Sequence, residues 1–168
     1  MVNDLKALLN PERASELVKG LSELVAQEVA SKKGLTGMGI KTAFATIKRL
    51  KPNIIDRLIE MLLPEFIKAI TPLYEEFVAL KASGDPIDFV SFMSARAQGV
   101  ASALLSVTDS RATKSTNAAL KGAYQKLRPI AEAQVSAAVP ALSKLLSAMI
   151  SQLDSNPSQS VQQGGDHV

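Results

Sequence analysis

The closest acidic pairs in this chain, Glu75-Glu76 and Asp85-x-x-Asp88, are the groups whose spacing could serve acid–base or divalent-metal chemistry. Neither pair is arranged for it. Adjacent residues on a helix diverge by about 100°, and Asp85 with Asp88 better fits a helix start, where a carboxylate caps free backbone amides. The only histidine is His167, in a polar tail. A Ser–His–Asp triad, a His-based acid and an H-E-x-x-H metal site are therefore unavailable. The chain has no cysteine, which excludes disulfides, thiolate catalysis and cysteine-ligated metals and fits a reducing compartment. The carboxylate-and-histidine pattern of di-iron bundles is also missing. No catalytic residue, metal ligand or cofactor is expected, and the chain reads as non-enzymatic.

Cations offer a second kind of chemistry. Between Glu28 and Asp56 there is no acid, but there are Lys32, Lys33, Lys41, Lys48, Arg49 and Lys51; between Asp109 and Glu132 lie Arg111, Lys114, Lys121, Lys126 and Arg128. Of these, Lys32, Lys33, Lys48, Arg49, Lys51, Arg111 and Arg128 are the anion-binding candidates, for a phosphate backbone, a lipid headgroup or an acidic partner. The competing reading is solvated helix faces and turn ends. A net charge of +3 is too small to imply nucleic acid, and with few aromatics there is little for bases to stack on. GLTGMG (Gly34 to Gly39) follows neither the dinucleotide nor the P-loop spacing. It reads as a turn between helices, with Thr36 capping the second. Tyr74 and Tyr124 fall on apolar faces, as core tyrosines with a reachable hydroxyl partner do, and Arg96 reads as a surface or paired arginine.

The element that must position these groups is Pro52 to Ala82. Ile54, Ile55, Leu58, Ile59, Leu62, Leu63, Phe66, Ile67, Ile70, Leu73, Tyr74 and Phe77 recur there at three- and four-residue spacing, the stripe of a helix burying one face. Pro64 and Pro72 interrupt it, so kinks or short breaks are expected. A bent helix can line a cavity, and Leu58, Leu62, Phe66, Ile70 and Tyr74 are the candidate ligand-binding residues.

The remaining segments read as helices too. Val2 to Leu9 is a short amphipathic turn, and Asn10-Pro11 opens a helix to Lys33 with Ala14, Leu17, Val18, Leu21, Leu24, Val25 and Val29 on one face. Gly34 is its stop. Ile40 to Lys51 follows, and Gly84-Asp85-Pro86 breaks the chain near its middle. Ile87 to about Thr108 is one helix, Thr108 to Thr116 a polar hinge or frayed end, and Asn117 to Leu153 a helical run broken at Pro129 and Pro140. The interior must come from aliphatic residues and alanine, since 46% of the chain is hydrophobic but only 4% aromatic. The expectation is one all-α bundle of about six to eight helices over residues 1–154, with a disordered polar tail from Ser155. Leu50-Lys51-Pro52 before Pro64 and Leu127-Arg128-Pro129 before Pro140 hint at a decayed duplication with halves 11–83 and 84–154. Helical chains also reuse such phrases by chance. Met1 to Asn10 lacks the apolar core of a secretory signal, and no run nears the uninterrupted apolar length of a transmembrane segment.

EVASKKGLTGMGIKTAF (Glu28 to Phe44), RLKP (Arg49 to Pro52), LLPEF (Leu62 to Phe66) and LLSVTDSRATKS (Leu104 to Ser115) together resemble a family of small bacterial proteins, mainly actinobacterial, known only as a domain of unknown function. The resemblance covers roughly residues 4 to 150. It implies a bacterial, cytoplasmic, all-helical domain and brings no activity, cofactor or site residue.

Two functions follow as expectations. One is a carrier of an apolar, lipid-like small molecule in a cavity or dimer groove, its headgroup near Lys32, Lys33, Lys51, Arg111 or Arg128. A homodimer that simply closes the apolar surface is its plain alternative. The other is an interaction module binding an acidic partner, nucleic acid or an anionic membrane surface through the basic segments, the last two being the weaker cases.

Overall fold

In the computed structural model, which describes residues 4–155, the chain enters through a 3-10 turn, Leu5–Leu9. The Asp4 carboxylate accepts from the Lys6 amide at 2.9 Å, which orients the turn so that Leu5 and Leu8 are buried. Val2, Asn3, His167 and the tail beyond Ser155 lie outside the described residues. Six α-helices follow and no strand is present among the described residues. The protein is a single all-α domain.

Helix α1 is Pro11–Ser31, with Pro11 in its first turn and Asn10 before it. Lys32 and Lys33 then adopt extended backbone, and Gly34 takes φ 72°, a left-handed value that a β-carbon disfavours. That one residue makes the corner. Helix α2, Gly34–Lys48, therefore begins where an open turn was expected, and GLTGMG forms its first turns. Thr36 lies inside α2 and is not its cap. Close approach explains why glycine is needed there: a β-carbon on Gly37 would sit 2.6 Å from the Lys32 carbonyl carbon and 2.8 Å from its oxygen.

Helix α3, Ile54–Ala82, starts two residues later than Pro52, because Asn53 is left-handed at φ 58° and closes the preceding turn. It passes through Pro64 and Pro72 without a break. Both prolines are exposed, as are Glu60 and Lys68, whose carbonyls lose their helical donor. Water can serve those carbonyls, which removes the physical reason to interrupt the helix. Ile59, Leu63, Ile67, Ile70 and Tyr74 form the buried stripe.

Gly84 at φ 90° ends this segment. Asp85 accepts from the Ile87 amide at 2.9 Å, and Asp88 accepts from both the amide and hydroxyl of Ser91, at 2.9 and 2.7 Å. Asp88 is thereby the N-cap of helix α4, Phe89–Ala95, whereas Asp85, expected to cap a helix start, holds the turn before it. The expected single helix from Ile87 to Thr108 is divided at Arg96, after which α5 runs Ala97–Lys114. Arg96 there has φ −112° and ψ 23°, stacks 3.8 Å over the centroid of Phe92 and donates to Glu76 of α3 at 2.8 Å. The hinge expected at Thr108 to Thr116 shrinks to Ser115, Thr116 and Asn117, and Asn117 accepts from the Leu120 amide at 3.0 Å to start the last helix.

Helix α6, Ala118–Ser155, is one 38-residue helix where three segments were expected. Pro129 is exposed, as is Gln125 four residues back, and is accommodated as in α3, whereas α6 continues through Pro140 although Pro140 and Ser136 are both half-buried. Leu50-Lys51-Pro52 lies in the turn before α3, whereas Leu127-Arg128-Pro129 lies within α6.

The main core joins Leu5, Leu8 and Leu17 to Leu63 and Ile67 of α3, Phe92 and Met93 of α4, Val100 of α5, and Val139, Leu146 and Met149 of α6. Each large side chain fully buried there contributes about 1.5–3 kcal/mol relative to exposure. The aromatics concentrate at one end, where Phe77 meets Phe89 at 5.3 Å and Phe92 at 5.5 Å between ring centroids. Helices α3 and α6 each pack against the entry turn, α1, α2, α4 and α5, but they do not form a closely packed pair with each other.

Candidate functional site: an apolar groove between α3 and α6

Because the two longest helices are held apart by their shared neighbours, space remains between them. A half-open groove of about 350 Å³ occupies it. Helix α1 supplies Leu21, Leu24, Val25 and Val29; α3 supplies Leu63, Phe66 and Ile70; α6 faces them with Ile130, Val135 and Leu142. Ile40 and Phe44 of α2 and Leu104 and Leu105 of α5 close the ends and floor. The volume lies at the small end of the range of about 300–1,000 Å³ typical of small-molecule sites. By length and composition α6 could also cross a membrane, and only 22% of its most apolar stretch is buried.

Four polar side chains reach the lining: Glu28 and Lys32 on α1, Thr108 on α5 and Gln134 on α6. Lys32 Nζ donates to Glu28 Oε2 at 3.2 Å, one turn back along the same helix. Thr108 is occupied otherwise. Tyr124 donates to Asp109 Oδ1 at 2.5 Å and lies within hydrogen-bond distance of Thr108 Oγ1 at 2.7 Å, while Thr108 Oγ1 donates to the Leu105 carbonyl at 3.0 Å. Arg128 Nε donates to the same carboxylate oxygen at 2.8 Å. These hydrogen bonds from Arg128 and then Tyr124 hold the Asp109 carboxyl below the usual carboxylate range. Burial, and then the bond to Asp109, push the Tyr124 hydroxyl above its ordinary value. Tyr74 is likewise raised by burial first and the Asp154 charge second.

The residues expected to bind ligand separate into groups. Phe66 and Ile70 line the groove. Leu58 packs beside the small cluster of Ile47, Ile54 and Ala123, Tyr74 belongs to the main core, and Leu62 is half-buried outside the lining. The α1 and α6 walls were missing from that expectation. Their signal, the Leu21-Leu24-Val25 stripe, was visible as a buried face but not as half of a cavity.

Three of the anion-binding candidates are engaged in ion pairs within the chain. Arg111 pairs with Glu65, Arg128 with Asp109 and Lys32 with Glu28. Lys48 Nζ lies 5.8 Å from the Phe44 ring centroid, and Lys33, Arg49 and Lys51 are exposed in the corners flanking α2. No group of three or more carboxylate or histidine side chains able to hold a metal occurs among the described residues. A second depression between α2 and α6, about 620 Å³, is walled by Thr36, Gly39, Thr42, Ala119, Gly122 and Lys126 among others. Its wall mixes threonines and small side chains with Met38, Lys126, Leu127 and Ile130. The most exposed large apolar residues, Leu35 and Met38, stand on the first turns of α2.

Fold and site together define an all-helical domain with one apolar groove and a single ion pair in its lining. The chain belongs to a family of unknown function, DUF6918, whose pattern matches residues 5–150. No curated protein and no solved structure matches it.

Proposed function

We propose that this protein is a non-enzymatic carrier that holds one apolar, lipid-like molecule in the groove between α3 and α6, in the bacterial cytoplasm that the sequence resemblance implies. The observation that supports this most is the composition of the lining, in which leucine, isoleucine, valine, phenylalanine and alanine leave room for only four polar side chains. Apolar wall left open to water is unfavourable by about 25 cal/mol for each Å², and an apolar guest removes that cost without needing a partner for every polar atom. The alternative, an interaction module reading acidic partners, nucleic acid or anionic membrane through the basic segments, has weaker support. Lys32, Arg111 and Arg128 are already engaged in ion pairs within the chain.

Native mass spectrometry of protein purified at low salt tests the proposal. The expected spectrum shows a small-molecule adduct that persists after a high-salt wash, since apolar retention is insensitive to ionic strength. A bare polypeptide mass, or a bare homodimer that closes the groove against a second copy, counts against it.

A further inference from the structure

We infer that the guest is a single-chain fatty carboxylate, with Lys32 holding its head and Glu28 the counterion it displaces; this rests on the carrier reading above. Lys32 is the one cation and Glu28 the one anion among the groove-lining residues. Lys32 is the residue at which α1 gives way to extended backbone, φ −73° and ψ 139°. Its side chain is 21% exposed, so most of it lies along protein while the ammonium pairs with Glu28.

An ammonium has three protons to donate, and Lys32 places one of them on Glu28. The Glu28 side chain is 31% exposed and lies one helical turn from Lys32. Such partly solvated pairs contribute little net stability, so an incoming carboxylate can take the glutamate's place while Glu28 turns to water. The surroundings favour that exchange. From Lys32 to Lys51 the chain carries six cations and no acid, which makes the local field attractive to an anion. The other polar groups of the lining do not compete, because Gln134 is uncharged and Thr108 is bonded to Tyr124.

A carboxylate fits better than a phosphate ester. One lysine balances one negative charge, whereas a phosphate near its second ionisation calls for more donors than the rim provides. The groove's modest volume of about 350 Å³ favours a single chain over a two-chain lipid.

Displacement of a neutral naphthylamine dye by laurate and by lauryl alcohol, each below its self-association limit, tests this on the full chain. Laurate is expected to displace the dye at about tenfold lower concentration than the alcohol, equivalent to about 1.4 kcal/mol. Lys32→Gln should remove that preference, Lys32→Arg should keep it, and Glu28→Gln should tighten laurate without changing the alcohol. Equal displacement by laurate and alcohol in the unmodified protein overturns the headgroup assignment while leaving the carrier reading intact. Displacement by neither overturns the carrier reading itself. The unmodified protein alone separates these outcomes, whatever the folding yield of the variants.

Discussion

Thr108 Oγ1 lies 2.7 Å from the Tyr124 hydroxyl, and this contact ties the lining of the groove to the Asp109–Arg128 ion pair between α5 and α6. Thr108 Oγ1 also donates to the Leu105 carbonyl at 3.0 Å, so this hydroxyl of the lining is satisfied on two sides. The clip stabilises the wall and keeps it apolar at once.

The clip has a pH signature. The Asp109 carboxyl is depressed by Arg128 and Tyr124, so its stabilising contribution is present above the ordinary aspartate value of about 3.9 and is lost as pH falls through the depressed folded value. Urea unfolding at neutral pH and at about pH 3 should therefore show a shallower acid loss for Asp109→Asn than for the parent protein. Asp88, depressed mainly by the Ser91 amide, contributes with the same sign and leaves part of the slope. Identical slopes for the variant and the parent would show that Asp109 is not coupled to folding. Tyr124→Phe should cost about 1 kcal/mol at neutral pH, the value of one hydrogen bond.

Two glycines only two residues apart should respond oppositely to alanine. At Gly37 the new methyl would meet Lys32 backbone at 2.6 Å, so α2 must move; at Gly39 it meets nothing within 4 Å. Gly37→Ala should lower stability by about 1–3 kcal/mol, and Gly39→Ala should raise it by about 0.5–1 kcal/mol through helix propensity. Thermal unfolding of both variants is the check, and a stabilising Gly37→Ala would mean the α1–α2 corner is looser than described.

Pro64→Ala restores a backbone donor to the exposed Glu60 carbonyl inside an already continuous helix. Stability should rise, by about 1 kcal/mol and by no more than the roughly 3 kcal/mol of intrinsic difference between the residues. A fall in the urea midpoint instead would show that the core depends on curvature imposed by the proline, and dye binding would then be expected to weaken as well.

Filling the groove should separate binding from folding. Ala131 is half-buried in the α6 wall, and phenylalanine there would occupy space the structure leaves open. Ala131→Phe is expected to reduce dye affinity at least tenfold while changing stability by less than about 1 kcal/mol. Undiminished dye binding in a folded variant would place the dye elsewhere.

Much of the helical framework was legible because its causes are local. The α1 stripe from Ala14 to Val29, the cap at Asp88, the stop at Gly84 and the buried face of α3 depend on residues within a turn or two of each other. Errors arose where a local rule was overridden. Four prolines read as interruptions because a missing donor is a local defect, yet its cost depends on whether the orphaned carbonyl meets water, and that depends on which way the helix faces. Arg96 read as mid-helix, and its partner Glu76 is twenty positions away.

The sequence alone determined that the protein is all-helical, that its interior is aliphatic, and that cysteine chemistry is closed to it. Tertiary structure decided which apolar residues are core and which are groove: Leu63 serves both, Tyr74 only the core, and Val135 only the groove wall. It also chose Lys32 from seven cationic candidates as the one at the lining. Periodicity states that a face is apolar, but the separation of two such faces is fixed by the helices packed between them, and no spacing within either helix encodes that distance.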